Sequence, residues 1–85
     1  MGDVRVAVVC FGAMREYLPE AAVGNRGVVE VADDATVGDV IDALGAPRRL
    51  VFSLLVDGAQ ANVQEQVHEG AEVTVMPPFT GGASR

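Results

Sequence analysis

Few residues of this chain combine a reactive type with a spacing that chemistry can use. Cys10 is the sole thiol and lies inside a Val-rich stretch, where a buried, inert sulfur is expected. His68 is the sole histidine, set in a polar turn with no second ligand at metal spacing. It reads as a surface residue, and no metal site is expected. Arg48-Arg49 reads as a solvated pair, and Asp33-Asp34, Asp39 and Asp42 as turn, cap and outer-face residues. No nucleophile, base and orienting group come together, so the chain does not read as an enzyme by itself. What remains is the stretch Met76-Pro77-Pro78-Phe79-Thr80-Gly81-Gly82, followed by Ala83-Ser84-Arg85. Two prolines fix φ and remove two backbone donors, giving a stiff, extended base. Two glycines then leave a bare tip. Such a tail suits a narrow channel in another protein. The plainer reading is a frayed, glycine-rich end.

The rest of the chain must position that tail. Val4 to Phe11 alternates as a strand apolar on both faces, and Gly12 breaks it. Ala13 to Leu18 suits a short helical turn stopped by Pro19, and Glu20 to Gly27 a loop. Val28, Val29 and Val31 make a second strand, antiparallel to the first. Thr36 is a helix cap with Asp39 three residues on, and Val37, Val40, Ile41 and Leu44 form one apolar stripe. Gly45 is placed for the left-handed end, and Pro47 bars continuation. A helix this short cannot stand alone in water, so it must lie on a sheet. Val51 to Val56 is a third strand ended by Asp57-Gly58, Ala61 to Val63 a short fourth, and Glu72 to Met76 the last.

Composition sets the outer bounds. The chain of 85 residues is one domain, and its 49% hydrophobic content supports a core without disulfides. One cysteine and an acidic start without a signal pattern make the cytoplasm the expected compartment. No apolar run reaches the length of a membrane span. The net charge of −6, with no Lys at all, argues against nucleic acid or anionic lipid as partner. A basic protein surface suits it better.

Three stretches resemble one family. Phe11-Gly12-Ala13-Met14-Arg15-Glu16, the helix Thr36-Val37-Gly38-Asp39-Val40-Ile41-Asp42-Ala43-Leu44, and Glu69 through Gly82 are similar in order and register to the MoaD/ThiS-like ubiquitin-fold sulfur carriers. Pro77-Pro78 brings the chain nearest the molybdopterin-synthase small-subunit branch. The resemblance implies an α+β, ubiquitin-like β-grasp over residues 1–76, a small mixed sheet with one main helix across it, and an extended tail over 77–85. It implies a sulfur carrier rather than a catalyst. A ubiquitin-activating-type adenylyltransferase would use ATP on the Gly82 carboxylate, and a sulfur source would then leave a thiocarboxylate there. A synthase would accept the sulfur for molybdopterin or another metabolite. No cofactor would be bound by the chain itself. Pro77, Pro78, Phe79, Thr80 and Gly81 would thread the partner's channel.

Ala83-Ser84-Arg85 departs from the family's free Gly-Gly ending. While they remain attached, Gly82 has a peptide bond and no carboxylate. A protease cutting before Ala83 is the expected remedy; the alternative is an expression remnant. Alternation places Val4, Val6, Val8, Val73 and Val75 toward the helix, and Val9, Phe11, Thr74 and Met76 on the other face. With Leu55 these make an expected docking patch of Val9, Phe11, Leu55 and Met76. Two other functions fit the same residues: a ubiquitin-like modifier joined to proteins through Gly82, and a β-grasp interaction module with an inert tail.

Overall fold

The first and last strands lie side by side within the sheet, and most of its pairing is made on them. A computed structural model describes residues 2–51 and 53–76. In chain order they form β1 (Asp3–Cys10), a 3-10 turn (Gly12–Tyr17), β2 (Arg26–Ala32), α1 (Val37–Leu44), a second 3-10 turn (Arg48–Leu50), β3 (Ser53–Val56), β4 (Ala59–Gln60) and β5 (Glu72–Met76). The sheet order is β2-β1-β5-β3-β4. β1 and β5 run parallel at its centre, and the other neighbours are antiparallel. This is the ubiquitin-like β-grasp that the sequence implies.

α1 forms for the reasons its sequence gives. Thr36 Oγ1 accepts from the Asp39 amide at 3.2 Å, and the Asp39 carboxylate accepts from the Thr36 amide at 3.0 Å, a reciprocal cap. At the other end Gly45 has φ +78°, and its amide and that of Ala46 return to the carbonyls of Asp42 and Ile41. Val37, Val40 and Ile41 are wholly buried against Val6, Val8 and Cys10 of β1 and Val73 and Val75 of β5. Burying each such side chain is worth about 1.5–3 kcal/mol, so this one layer dominates the stability of the domain. Met14, from the first 3-10 turn, and Val67 and Ala71, from the segment before β5, close its rim.

Two expectations need correction. The short fourth strand lies at Ala59–Gln60, not at 61–63, because Asp57-Gly58 turns the chain at once and pairs Val56 with Ala59. Val63 instead sits in a turn whose carbonyl accepts from the Gly38 amide at 2.9 Å. Arg48 is not simply solvated. Its guanidinium lies over Gly38 and makes a two-pronged pair with Asp42, at 3.2 and 3.0 Å, tying the second 3-10 turn to α1.

Candidate functional site

The register assembles the sheet face turned away from α1. β1 alternates strictly, with Val6, Val8 and Cys10 in the core and Ala7 and Val9 outward. One row across the face reads Arg26, Val9, Thr74, Leu55 and Gln60, from β2 to β4. The row beside it reads Val28, Ala7 and Glu72. On the opposite side, Met76 pairs with Ser53 at the end of β5, and the Phe11 amide donates to the Val75 carbonyl at 3.2 Å. Val9, Leu55 and Met76 are half-buried, and Phe11 is 42% exposed. These four residues share the face and gather toward the Met76 end of β5.

Thr74 shares the outward face with the patch, as alternation predicts. It is only 9% exposed, since Val9 and Leu55 flank it in the same row. Pro77, Pro78, Phe79, Thr80, Gly81, Gly82 and Ala83 lie outside the described residues.

Two charge pairs lie on this face. Arg26 of β2 reaches over β1 to Glu72 of β5, and Arg5 pairs with Glu30 at 3.5 Å. The Arg5 amide also donates to the Glu69 carboxylate at 3.0 Å. The Arg26–Glu72 pair was not legible beforehand: Arg26 falls in what reads as a loop, and only the pairing of β2 with β1 brings it opposite Val9. An apolar, internally neutralised face is suited to contact with another protein.

The other chemistry-bearing side chains are held in structural roles. Cys10 is fully buried, and burial pushes its thiol up from the ordinary value, so it is not a nucleophile. His68 is exposed, with Nδ1 3.0 Å from the Glu69 carbonyl and Nε2 3.1 Å from Asp57 Oδ2. The Glu69 carbonyl and then the Asp57 carboxylate raise its pKa. Asp57 is lowered, first by the Glu72 amide that donates to Oδ1 at 3.0 Å and then by His68. Among the described residues no cluster of three or more His, Cys, Asp or Glu can hold a metal. Nor is any described helix long and apolar enough to cross a membrane.

The family model described as Mut7-C ubiquitin matches residues 3–82. The chain belongs to this family. The match spans the whole described domain and runs on to the second glycine of the tail, so the Mut7-C ubiquitin pattern includes both. A search among curated proteins finds no match. Among solved structures, SAMP1 of Haloferax volcanii, the small archaeal modifier protein 1, is similar at 29% identity and TM-score 0.70, covering 92% of this chain and 99% of that one. The HVO 2177 protein of the same organism is similar at 26% identity and TM-score 0.74, covering 95% and 89%. A putative molybdopterin converting factor subunit 1 from Pyrococcus furiosus is 22% identical with TM-score 0.66, covering 89% and 99%, a likeness of fold. The resemblance to MoaD-like ubiquitin-fold proteins drawn from the sequence therefore holds.

Proposed function

We propose that this Mut7-C ubiquitin protein is a sulfur carrier whose reactive group is the Gly82 carboxylate. The observation that carries the reading is positional. β5 ends at Met76 on an apolar, charge-paired face, and the family match continues through the stiff Pro77-Pro78 to Gly82. A docking face at the root of a thin tail is what a partner needs to hold the domain while it works on the tip.

The chemistry is simple to write. A Gly82 carboxylate oxygen attacks the α-phosphorus of ATP in an adenylyltransferase, and pyrophosphate leaves. Sulfide or a persulfide sulfur then attacks the carbonyl carbon of the acyl adenylate, and AMP leaves. With a persulfide, a thiol must cleave the resulting S–S bond to free the thiocarboxylate. Glycine keeps that carbon unhindered and lets the backbone pass close to the partner. Prolines at the base reduce the entropy lost when the tail is ordered. Val9, Phe11, Leu55 and Met76 dock on the activating enzyme, and a sulfur-accepting synthase follows it. Removal of Ala83-Ser84-Arg85 by a protease precedes both steps.

The decisive experiment uses the chain ending at Gly82, an activating enzyme from the same cell, ATP and a sulfide source. A mass gain equal to replacing one oxygen by sulfur is expected. The same chain ending at Arg85 stays unchanged. No ATP-dependent change in the Gly82 form would end the proposal. The name of the similar Haloferax protein favours a second reading, in which the activated carboxylate is joined to protein amines. Slow-migrating adducts in that incubation, in place of the sulfur product, would support it.

A further inference from the structure

β2 is an edge strand of the sheet, and part of its outward backbone meets no partner among the described residues. The direction of its backbone groups follows from two hydrogen bonds. The Cys10 amide donates to the Asn25 carbonyl at 2.9 Å, so Asn25 faces β1. Arg26 and Val23 exchange amide-to-carbonyl bonds at 2.9 and 3.1 Å, so Arg26 faces away from β1. The β1–β2 register runs without interruption from Val9↔Arg26 to Asp3↔Ala32, and strand groups alternate in direction. Val28 and Glu30 therefore aim their amides and carbonyls out of the sheet. Among the described residues none of these four groups has a partner.

The edge is open along this run. Above it, the Val23–Arg26 pair and Pro19, packed on Gly27, close the strand. Beside it lies a groove of about 400 Å³ between β2 and the end of α1, lined on the helix side by Tyr17, Leu18, Val29, Ala43 and Leu44. Natural proteins cover or charge a free edge because it templates another strand. Here the one charge on the run is Glu30, in an exposed pair with Arg5 of β1 at 3.5 Å, and Val28 is 55% exposed.

We propose that the β2 edge, at Val28 and Glu30, binds an extended peptide segment of a partner protein by strand addition, with an apolar side chain in the Val29–Leu44 groove. The backbone fixes the class of ligand: four donors and acceptors at strand spacing recognise another strand. Alternation fixes its side chains. The residue opposite Val29 points into the groove and is apolar. Its two neighbours lie on the outer face, where cross-strand pairing calls for an apolar residue beside Val28 and a basic one beside Glu30. The molecule's net charge of −6 favours the same basic residue.

The probe is the acetylated, amidated peptide Val-Lys-Ile-Val-Ser for an antiparallel strand, with its reversed order for a parallel one. Titration into the full chain, followed by amide NMR, is expected to move the Val28 and Glu30 amide protons downfield and leave that of Val29 nearly still. The Kd expected for so short a strand is roughly 0.1–1 mM. Glu30→Pro removes one donor where the amide faces outward, a place an edge strand tolerates proline. Ala43→Glu puts a charge in the groove from an exposed helix position. Each is expected to weaken binding at least tenfold with thermal unfolding little changed. Replacing the peptide's Lys by Glu weakens it too. No shift with either peptide up to roughly 5 mM would overturn the proposal. So would affinity undiminished in Ala43→Glu, a check that stands even should Glu30→Pro fail to fold. Shifts of the same amides with protein concentration alone, with a doubled mass by light scattering, would give the edge to a second copy and overturn it as well.

Discussion

His68 has an acceptor against each ring nitrogen, the Glu69 carbonyl and the Asp57 carboxylate. A neutral imidazole can donate to only one of them, so the arrangement favours the charged form. The sign follows directly. His68 is raised, so its contribution to stability is full below the ordinary histidine value and fades as pH rises through the folded-state value. Asp57 is lowered, so its contribution is full above the ordinary carboxylate range and fades as pH falls through its own folded value. Between these limits the pair tethers the β3–β4 turn to β5, aided by the Glu72 amide on Asp57. His68→Ala is expected to lower Tm at about pH 6 and to leave it nearly unchanged at about pH 9. Equal losses at both pH values would show the ring to be mere packing. Arg48 makes a second residue-scale point. A Cβ at Gly38 would fall 2.7 Å from its guanidinium and 3.2 Å from the Val63 carbonyl. Gly38→Ala therefore displaces Arg48 from Asp42, offsetting the better helix propensity of Ala. In an Arg48→Ala background the substitution is expected to be more favourable than in the native chain, read by a double-mutant cycle in urea.

At the scale of elements, α1 depends on its ends because it spans only Val37–Leu44. Thr36→Ala removes the hydroxyl that accepts from Asp39 and is expected to cost about 1 kcal/mol, measured as a shift of the urea midpoint at constant slope. Ile41→Ala empties the centre of the core and is expected to cost about 2–5 kcal/mol. Both roles could be read from the sequence, since caps and stripes are local: Thr36, Asp39 and Gly45 declare themselves within a few residues. The sheet was legible in its strands and much less in its pairing. Alternation marked β1 and β5, yet nothing local says that Arg26 stands opposite Val9 or that Thr74 is covered by neighbours from two other strands. Ala61 and Val63 are apolar and point to a strand there, while the tight Asp57-Gly58 turn, with φ +53° and +86°, commits Ala59 and Gln60 instead. The Arg48–Asp42 tie is not local either, since it depends on how the chain turns after Gly45. The proposed reactive segment stands out in sequence as Pro77-Pro78 and Gly81-Gly82 and lies outside the described residues, whereas the outer sheet face needs the register to be seen.

The whole molecule combines a strong overall charge with a neutralised contact face, and the two govern different steps of association. Arg5–Glu30 and Arg26–Glu72 cancel on the outer sheet face. Glu16, Glu20, Asp33 and Asp34 lie in turns and make no ion pair among the described residues. They feed the net charge of −6, which acts at a distance and steers encounter with a basic partner. Contact on the face acts only after encounter and sets how long the complex lasts. Met76 is half-exposed at the end of β5, so Met76→Asp should barely change folding while placing a carboxylate in the apolar contact. The expected result with the activating enzyme is a loss of about 2 kcal/mol, roughly thirtyfold, carried by faster dissociation. Asp34→Arg should instead slow association and flatten its dependence on salt, leaving dissociation alone. Stopped-flow binding at low and high ionic strength separates the two. Unchanged dissociation in Met76→Asp would remove this face from the contact and leave the tail to be recognised without it.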